Sequence, residues 1–219
     1  MAADGFLGAL SVEEADALRA LGVKRTYGAK VTLLHQADDA GPVVILLAGR
    51  VKVAVGDGGR EAIIGVAGPG ELIGELAAID DGPRSTTVTT LEPVDALVIT
   101  RSDFGTLLER RPRIALVILR TVARRLRYAD AQRAQFASLD VVGRLAQRLV
   151  ELSERFGTPL ERGIEIRLPL SQEELASWVG ASREAVSKAF QQLRSLHIVE
   201  TGRRRVTVLD LGALKRRAG

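Results

Sequence analysis

Cysteine is absent from the 219-residue chain, and histidine occurs only twice, as His35 and His197. Without cysteine there are no disulfides, no thiolate metal sites and no cysteine-held iron–sulfur cluster. The two histidines lie far apart in the sequence. Neither has a carboxylate or nucleophile at motif spacing, so no catalytic residue, no metal site and no enzyme is expected. His197 reads as a helix-end residue rather than a ligand. No run reaches the ~18 apolar residues that span a bilayer. The N-terminus also lacks the basic-then-apolar pattern of a secretory signal. A cytoplasmic protein with no membrane partner is therefore expected. Hydrophobic residues make up 46% of the chain, enough to fill the core of one large or two small domains.

Charge is unevenly placed. Residues 1–137 hold 17 Lys and Arg against 17 Asp and Glu, and residues 138–219 hold 14 against 10, so the formal +4 lies wholly in the second part. Arg203, Arg204 and Arg205, and again Lys215, Arg216 and Arg217, concentrate it. A basic end on a neutral body fits a polyanion partner, or else an ordinary solvated tail.

Apolar spacing predicts a helix over 6–21, with Ser11 as its cap. Short β-type runs then occupy 43–47, 51–55, 62–66, 86–90 and 96–99, broken by Gly- and Pro-rich turns such as 56–59, which suggests a compact barrel or sandwich. Ser102 reads as the cap of a short helix ending before Pro112. The longest helical pattern runs from Arg113 to about Ser138. Its Leu116, Leu119, Ala123 and Leu126 fall at the three- and four-residue steps of a two-stranded coiled-coil seam, which predicts dimerisation. Packing of this helix on its own domain is the alternative. The seam continues through Asp130, Arg133 and Ala137 and turns polar there.

Two stretches carry chemistry. In residues 70–88, Glu75 and Arg84 flank a short polar turn with one helical turn over 74–79. Such a loop can offer backbone N–H groups and a guanidinium to a phosphate while the carboxylate accepts from a hydroxyl. Later, a helix opens near Leu139 and Asp140 and closes before Pro159, and a strand follows over 164–168. Ser171 with Glu174 reads as a capping box. Residues 171–179, the Gly180–Ala181 turn and 182–196 form a helix-turn-helix pattern, with Val186, Ala189, Phe190, Leu193 and Leu196 as the buried stripe of the second helix. Arg183 and Lys188 on the opposite face can donate to guanine, and Glu184 can accept from cytosine. Ser171, Gln172, Ser182 and Ser187 complete this candidate DNA surface. Residues 198–209 read as a β-hairpin wing whose arginines, Arg203 first, suit phosphates better than bases.

The first stretch resembles the phosphate-binding cassette of cyclic-nucleotide-binding domains. With the β-roll around Leu47–Val53, the Ala123-Arg124-Arg125-Leu126 run, the 139–144 run and Ser182–Lys188, nearly the whole chain resembles the CRP/FNR transcription regulators, in the cyclic-AMP receptor branch and its actinobacterial members particularly. The resemblance implies an α+β architecture. It consists of an N-terminal jelly-roll-like β-roll sensor over 1–111, a dimerisation helix over 112–138 and a winged helix-turn-helix domain over 139–219. It implies a homodimer that binds double-stranded DNA at TGTGA-like palindromes under the control of a cyclic nucleotide, cyclic AMP foremost, with RNA polymerase as a further partner and no permanent cofactor. Gly74, Glu75, Arg84 and Ser85 would hold ribose and phosphate, with Ile73, Leu76 and Thr86 lining the socket. Arg125 would pair with Glu75 or with the ligand.

Two positions depart from the family pattern. Lys188 stands where the enterobacterial receptor has arginine, and an ammonium lacks the fork that grips guanine. Ala129 and Asp130 replace the hydroxyl or amide residues that contact the base. Alanine offers no hydrogen bond. Asp130 can accept from adenine, accept from guanine, or pair with Arg133 of a partner helix. Three rival readings therefore stay open: an effector-independent DNA binder, a regulator answering to cyclic GMP or cyclic di-GMP, and a nucleotide-binding regulatory subunit without DNA.

Overall fold

Val43, Val44, Ile45 and Leu46 are consecutive and all buried, which a strand allows only when both of its faces meet another layer. The computed structural model describes residues 5–56, 61–167 and 169–219, and side chains for all of these except 132–137. The expected turn at 57–59, the end of the expected strand at Leu168 and the seam side chains of Arg133 and Ala137 lie outside the described residues. The chain divides into two compact units, Met1–Leu126 and Arg127–Gly219.

In the first unit a 3-10 turn (Leu7–Ala9) leads to helix α1 (Val12–Leu21) and strands β1 (Val23–Tyr27), β2 (Thr32–Leu34), β3 (Val43–Ala48), β4 (Val51–Val55), β5 (Ala62–Ala67) and β6 (Leu72–Ile73). Helix α2 (Glu75–Asp80), β7 (Thr87–Thr90), β8 (Val94–Ile99), α3 (Arg101–Arg110) and the start of α4 (Pro112–Ser138) follow. Two four-stranded antiparallel sheets form, in the orders β1-β8-β3-β6 and β2-β7-β4-β5. Side chains alternate along a strand, so β3 serves two cores. Val44 and Leu46 join Val51, Val88 and Ala96 in one cluster spanning both sheets. Val43 and Ile45 join Phe6, Leu18, Phe104, Ile114 and Ile118 in another, where α1, α3 and α4 cover the first sheet. The expected β-roll is present, with helices on one side.

Helix ends follow their caps. Ser11 and Glu14 form a reciprocal capping box on α1, and the Glu14 carboxylate also pairs with Arg113 near the start of α4. Thr100, not Ser102, caps α3, its side chain accepting from Asp103 N. Thr100 is the last extended residue, and the cap must sit there for its oxygen to reach the third helical N–H. Pro112 opens α4, where its fixed φ suits a first helical position.

The second unit contains α5 (Val141–Phe156), β9 (Thr158–Pro159), β10 (Ile164–Arg167), α6 (Gln172–Val179), α7 (Arg183–Ser195), β11 (Val199–Gly202), β12 (Arg205–Val208) and α8 (Leu211–Ala218). Asp140 caps α5 by accepting from Gly143 N. Leu145, Ala146, Leu149 and Leu152 form a fully buried face of α5, against which α6, α7, α8 and β10 pack. The sheet order is β11-β12-β10-β9, with the β11–β12 hairpin as the wing. Leu196 departs from the expected stripe. It is 46% exposed, because α7 stops at Ser195 and His197 turns the chain at φ 54. Ile198 is buried in its place.

Candidate functional sites: an anion cassette and a nucleic-acid interface

The cassette is built around one buried guanidinium. Arg84 is only 5% exposed. Its Nη1 donates to Gly74 O and its Nη2 to Pro42 O, both at 2.7 Å. Its backbone is pinned as well: Arg84 N donates to Asp38 O, and Ala37 N donates to Arg84 O, each at 2.8 Å. The two side-chain bonds use two of the five N–H donors of the group. Burial lowers its pKa, opposed by the Asp38 and Glu75 carboxylates, and an arginine stays charged at neutral pH regardless.

Gly74 makes this seating possible. It sits at φ 81, and a Cβ there would lie 2.5 Å from Arg84 Nη1. A side chain at this position would be strained by the backbone and would meet the guanidinium.

Glu75 opens α2 and is 4% exposed. Burial raises its pKa, and the Arg125 charge opposes that shift. Arg125 Nη1 donates to Glu75 Oε1 at 2.6 Å, and its Nη2 donates to Leu72 O at 2.9 Å. Glu75 is one of the two partners expected for Arg125, and the two side chains are hydrogen-bonded. Ile73 is buried, Thr86 is half-buried, and Leu76 and Ser85 are exposed beside the turn. Ala129 and Asp130 are exposed on α4 and belong to the second unit. The carbonyls of Pro42 and Asp38 that hold Arg84 are set by the fold, since no side-chain identity signals a backbone acceptor.

The other face of α4 is apolar and open. Ile114, Val117 and Ile118 are buried in the first unit, whereas Leu116, Leu119 and Leu126 are 51%, 63% and 61% exposed. The helix therefore carries two apolar stripes, and the exposed one follows the expected seam.

In the second unit the helix-turn-helix pair, α6 and α7, is ordered by caps. Ser171 and Glu174 form the expected capping box on α6. Gly180, at φ 65, makes the turn, with Ala181 N bonded to Ala176 O at 3.0 Å. The Ser182 side chain then accepts from Ala185 N to start α7. Arg144 of α5 clamps the junction, its Nε donating to Val179 O at 3.0 Å and its Nη1 to Leu139 O at 3.0 Å.

Arg183, Glu184, Ser187, Lys188, Gln191 and Arg194 share the exposed face of α7. Backbone and Ser182 hydrogen bonds lower the Glu184 pKa, so it presents an acceptor-only carboxylate. Arg183 Nε donates to Gln172 Oε1 at 3.0 Å. Arg194 donates to Thr201 Oγ1 at 2.9 Å, joining α7 to the wing. An open cleft of about 410 Å³ lies among α6, α7 and the wing, and Ser171, Gln172, Arg183, Ser187 and the wing arginines line it. Arg203 and Arg204 form the hairpin tip, Arg204 at φ 54. The expected DNA-contacting residues thus all lie in the second unit, whereas the expected ligand-binding residues lie in the first except for Ala129 and Asp130.

Comparison with known proteins gives each unit a matching domain. Residues 24–111 match the cyclic nucleotide-binding domain, and residues 143–217 match the Crp-like helix-turn-helix domain. A CRP-like cAMP-activated global transcriptional regulator from Mycobacterium tuberculosis is 34% identical over 188 residues, covering 85% of this chain and 84% of the relative. The chain belongs to the CRP family of transcription regulators. A cyclic AMP receptor protein from Thermus thermophilus is 29% identical over 207 residues, 94% of this chain and 93% of that one. The fold is shared with the c-di-GMP responsive global regulator CLP of Xanthomonas campestris at a TM-score of 0.79 and 24% identity, over 91% of this chain and all of that one. The cassette stretch lies inside the first matched domain and the α6–α7 pair inside the second. Among the described residues no helix is long and apolar enough to cross a membrane.

Proposed function

We propose that this CRP-family regulator is a homodimer that binds TGTGA-like palindromic DNA when a cyclic mononucleotide, cyclic AMP foremost, occupies the cassette. The observation that carries the reading is Arg125. From the long helix it reaches both Glu75 and Leu72 O of the cassette, so a ligand competing for Glu75 acts directly on the helix that would form the dimer. The mycobacterial relative is named for activation by cyclic AMP. Arg84 and Gly74 fit a cyclic phosphate, since a buried fork of donors is held where no Cβ intrudes. Ser85 and the Glu75 carboxylate would take the phosphate edge and a ribose hydroxyl.

The exposed seam of Leu116, Leu119 and Leu126 supports the dimer. A two-fold axis would place two copies of α7 about one DNA turn, ~34 Å, apart for successive major grooves. Ligand can bias that placement only by binding one arrangement more tightly. Arg183, Glu184 and Lys188 would read bases. Ser171, Gln172, Ser182, Ser187 and Arg203 would hold phosphates or base edges. RNA polymerase would be the further partner, in the cytoplasm.

One observation favours a second reading, a CRP-type DNA binder with another effector such as cyclic GMP or cyclic di-GMP, or with none. Ala129 carries no polar side-chain group with which to select a base. Titration of a labelled TGTGA palindrome with and without cyclic AMP separates the readings. Tighter binding with cyclic AMP supports the first, and equal affinity removes the switch. Calorimetry with the three nucleotides then identifies the effector.

A further inference from the structure

Gln172 and Arg183 are the first residues of α6 and α7, and a 3.0 Å hydrogen bond from Arg183 Nε to Gln172 Oε1 ties the two helix starts together. We propose that Gln172 is a positioning residue for sequence reading, which fixes the plane of the Arg183 guanidinium so that its two terminal nitrogens meet one guanine. This rests on the reading that α7 enters the major groove. Arginine can grip guanine O6 and N7 side-on, through Nε and one Nη, or end-on, through both Nη groups. With Nε committed to Gln172, only the end-on fork remains.

The acceptor is fixed by chemistry. Arg183 has only donors, so the amide oxygen must face it, and the amide nitrogen is left as a donor of the kind phosphate oxygens take. One side chain thereby links backbone register to base reading.

Both ends of this brace stand on ordered backbone. The first turn of α6 is held by Ser171 N donating to Glu174 Oε2 at 2.8 Å and Glu174 N donating to Ser171 Oγ at 3.1 Å. The first turn of α7 is held by Ala185 N donating to Ser182 Oγ at 3.2 Å. The angle between them is set by the left-handed Gly180 and by Arg144, which donates to Val179 O and Gly180 O. An unbraced arginine with four rotatable bonds would approach a base in several poses. A braced one approaches in one, and so loses more when the base is wrong.

The test is selection from a randomised double-stranded DNA library by the full-length protein, with and without cyclic AMP. Wild type, Gln172→Ala, Gln172→Glu and Arg183→Ala are compared, with thermal melting of each. Wild type should enrich a motif, and Arg183→Ala should lose the preference for one guanine per half-site. Gln172→Ala should weaken the same preference about five- to tenfold, within the range a bidentate contact provides, at an unchanged melting temperature. Gln172→Glu keeps the acceptor, so it should retain the preference while binding all sequences more weakly, since it sets a charge against phosphate. If wild type enriches no motif, or Arg183→Ala leaves every position intact, the groove-reading premise fails. If Arg183→Ala removes a guanine that Gln172→Ala leaves untouched, the premise stands and the brace is refuted. An equal loss at all positions in Gln172→Ala makes Gln172 a phosphate contact only and also refutes it.

Discussion

Arg125 and Glu75 form a lopsided pair: the carboxylate is 5% exposed and the guanidinium 43%. Burial raises the Glu75 pKa and Arg125 opposes the rise, so the folded state holds the Glu75 proton more tightly than the unfolded chain does. Stability must therefore decline as pH climbs from the ordinary carboxylate range through the folded pKa of Glu75.

Arg125→Ala should enlarge that decline. Near neutral pH it should cost about 1–2 kcal/mol, below the 3–5 kcal/mol of a wholly buried pair because half of this one is solvated. The gap from wild type should narrow below about pH 4, where Glu75 is protonated in both states. Glu75→Gln combined with Arg125→Ala should be less destabilised at neutral pH than Arg125→Ala alone. Melting curves from about pH 3 to about pH 8 on the wild type and the two variants measure these differences. A pH-independent gap would mean that Arg125 acts only through Leu72 O.

Gly74→Ala should cost about 1–2 kcal/mol from the left-handed backbone alone. Its Cβ must also displace Arg84 Nη1, 2.5 Å away, and press on the Leu34 side chain, whose Cδ1 would lie 3.1 Å away. Cyclic nucleotide affinity should fall with it. Arg84→Lys should keep the charge yet lose affinity by at least about tenfold, because an ammonium cannot reach Gly74 O and Pro42 O together and present a fork. Calorimetry at matched ionic strength reads both effects. Undiminished uptake by Arg84→Lys would remove the guanidinium from the socket.

The seam makes the third prediction. Leu119→Glu should convert a dimer to a monomer by placing like charges along the stripe of Leu116, Leu119 and Leu126. Fold should be retained, since Leu119 is 63% exposed and the core stripe of Ile114, Val117 and Ile118 is untouched. Sedimentation together with circular dichroism tests this. A wild type already monomeric at micromolar concentration would overturn it.

How far these features were legible depends on whether their causes are local. The caps at Ser11, Asp140 and Ser171 and the Gly180 turn are set by a few adjacent residues, and all four were readable. The two faces of α4 follow from periodicity, which the sequence displays openly. Strand β1 is different. Its residues Val23–Tyr27 are mostly exposed, and they become a strand by pairing with β8 across some 70 residues. The two-residue β6 likewise exists only through β3. Helix α8 was hidden by its own charge. Lys215, Arg216 and Arg217 read as part of a basic end, for a polyanion or for solvent, while Leu214 and Ala218, one helical turn apart, are the buried face. In the cassette, Glu75 and Arg84 were legible as chemistry, but the carbonyls that seat Arg84 come from Pro42 and Gly74, placed by the fold.

The wing supplies the last prediction. Arg203 and Arg204 lie at the tip of the β11–β12 hairpin, whereas Arg205 sits on β12 with its Nη1 3.8 Å from Glu165 Oε2. Phosphate contacts release counterions, so the logarithm of affinity falls with the logarithm of salt by about 0.9 per contact. In a dimer every substitution acts twice. Arg203→Ala and Arg204→Ala should each lower the slope by about 2 and weaken binding to all sequences alike. Arg205→Ala should lower it less, because a carboxylate already shares that charge. Lys188→Ala, on the exposed face of α7, should instead alter preference at one position more than it alters the slope if that face reads bases. Affinity measured from 50 to 200 mM salt on matched and mismatched duplexes separates the two behaviours. A slope unchanged in Arg203→Ala and Arg204→Ala would detach the hairpin tip from DNA, and a change of about 1 per substitution would mean that only one wing of the pair is engaged.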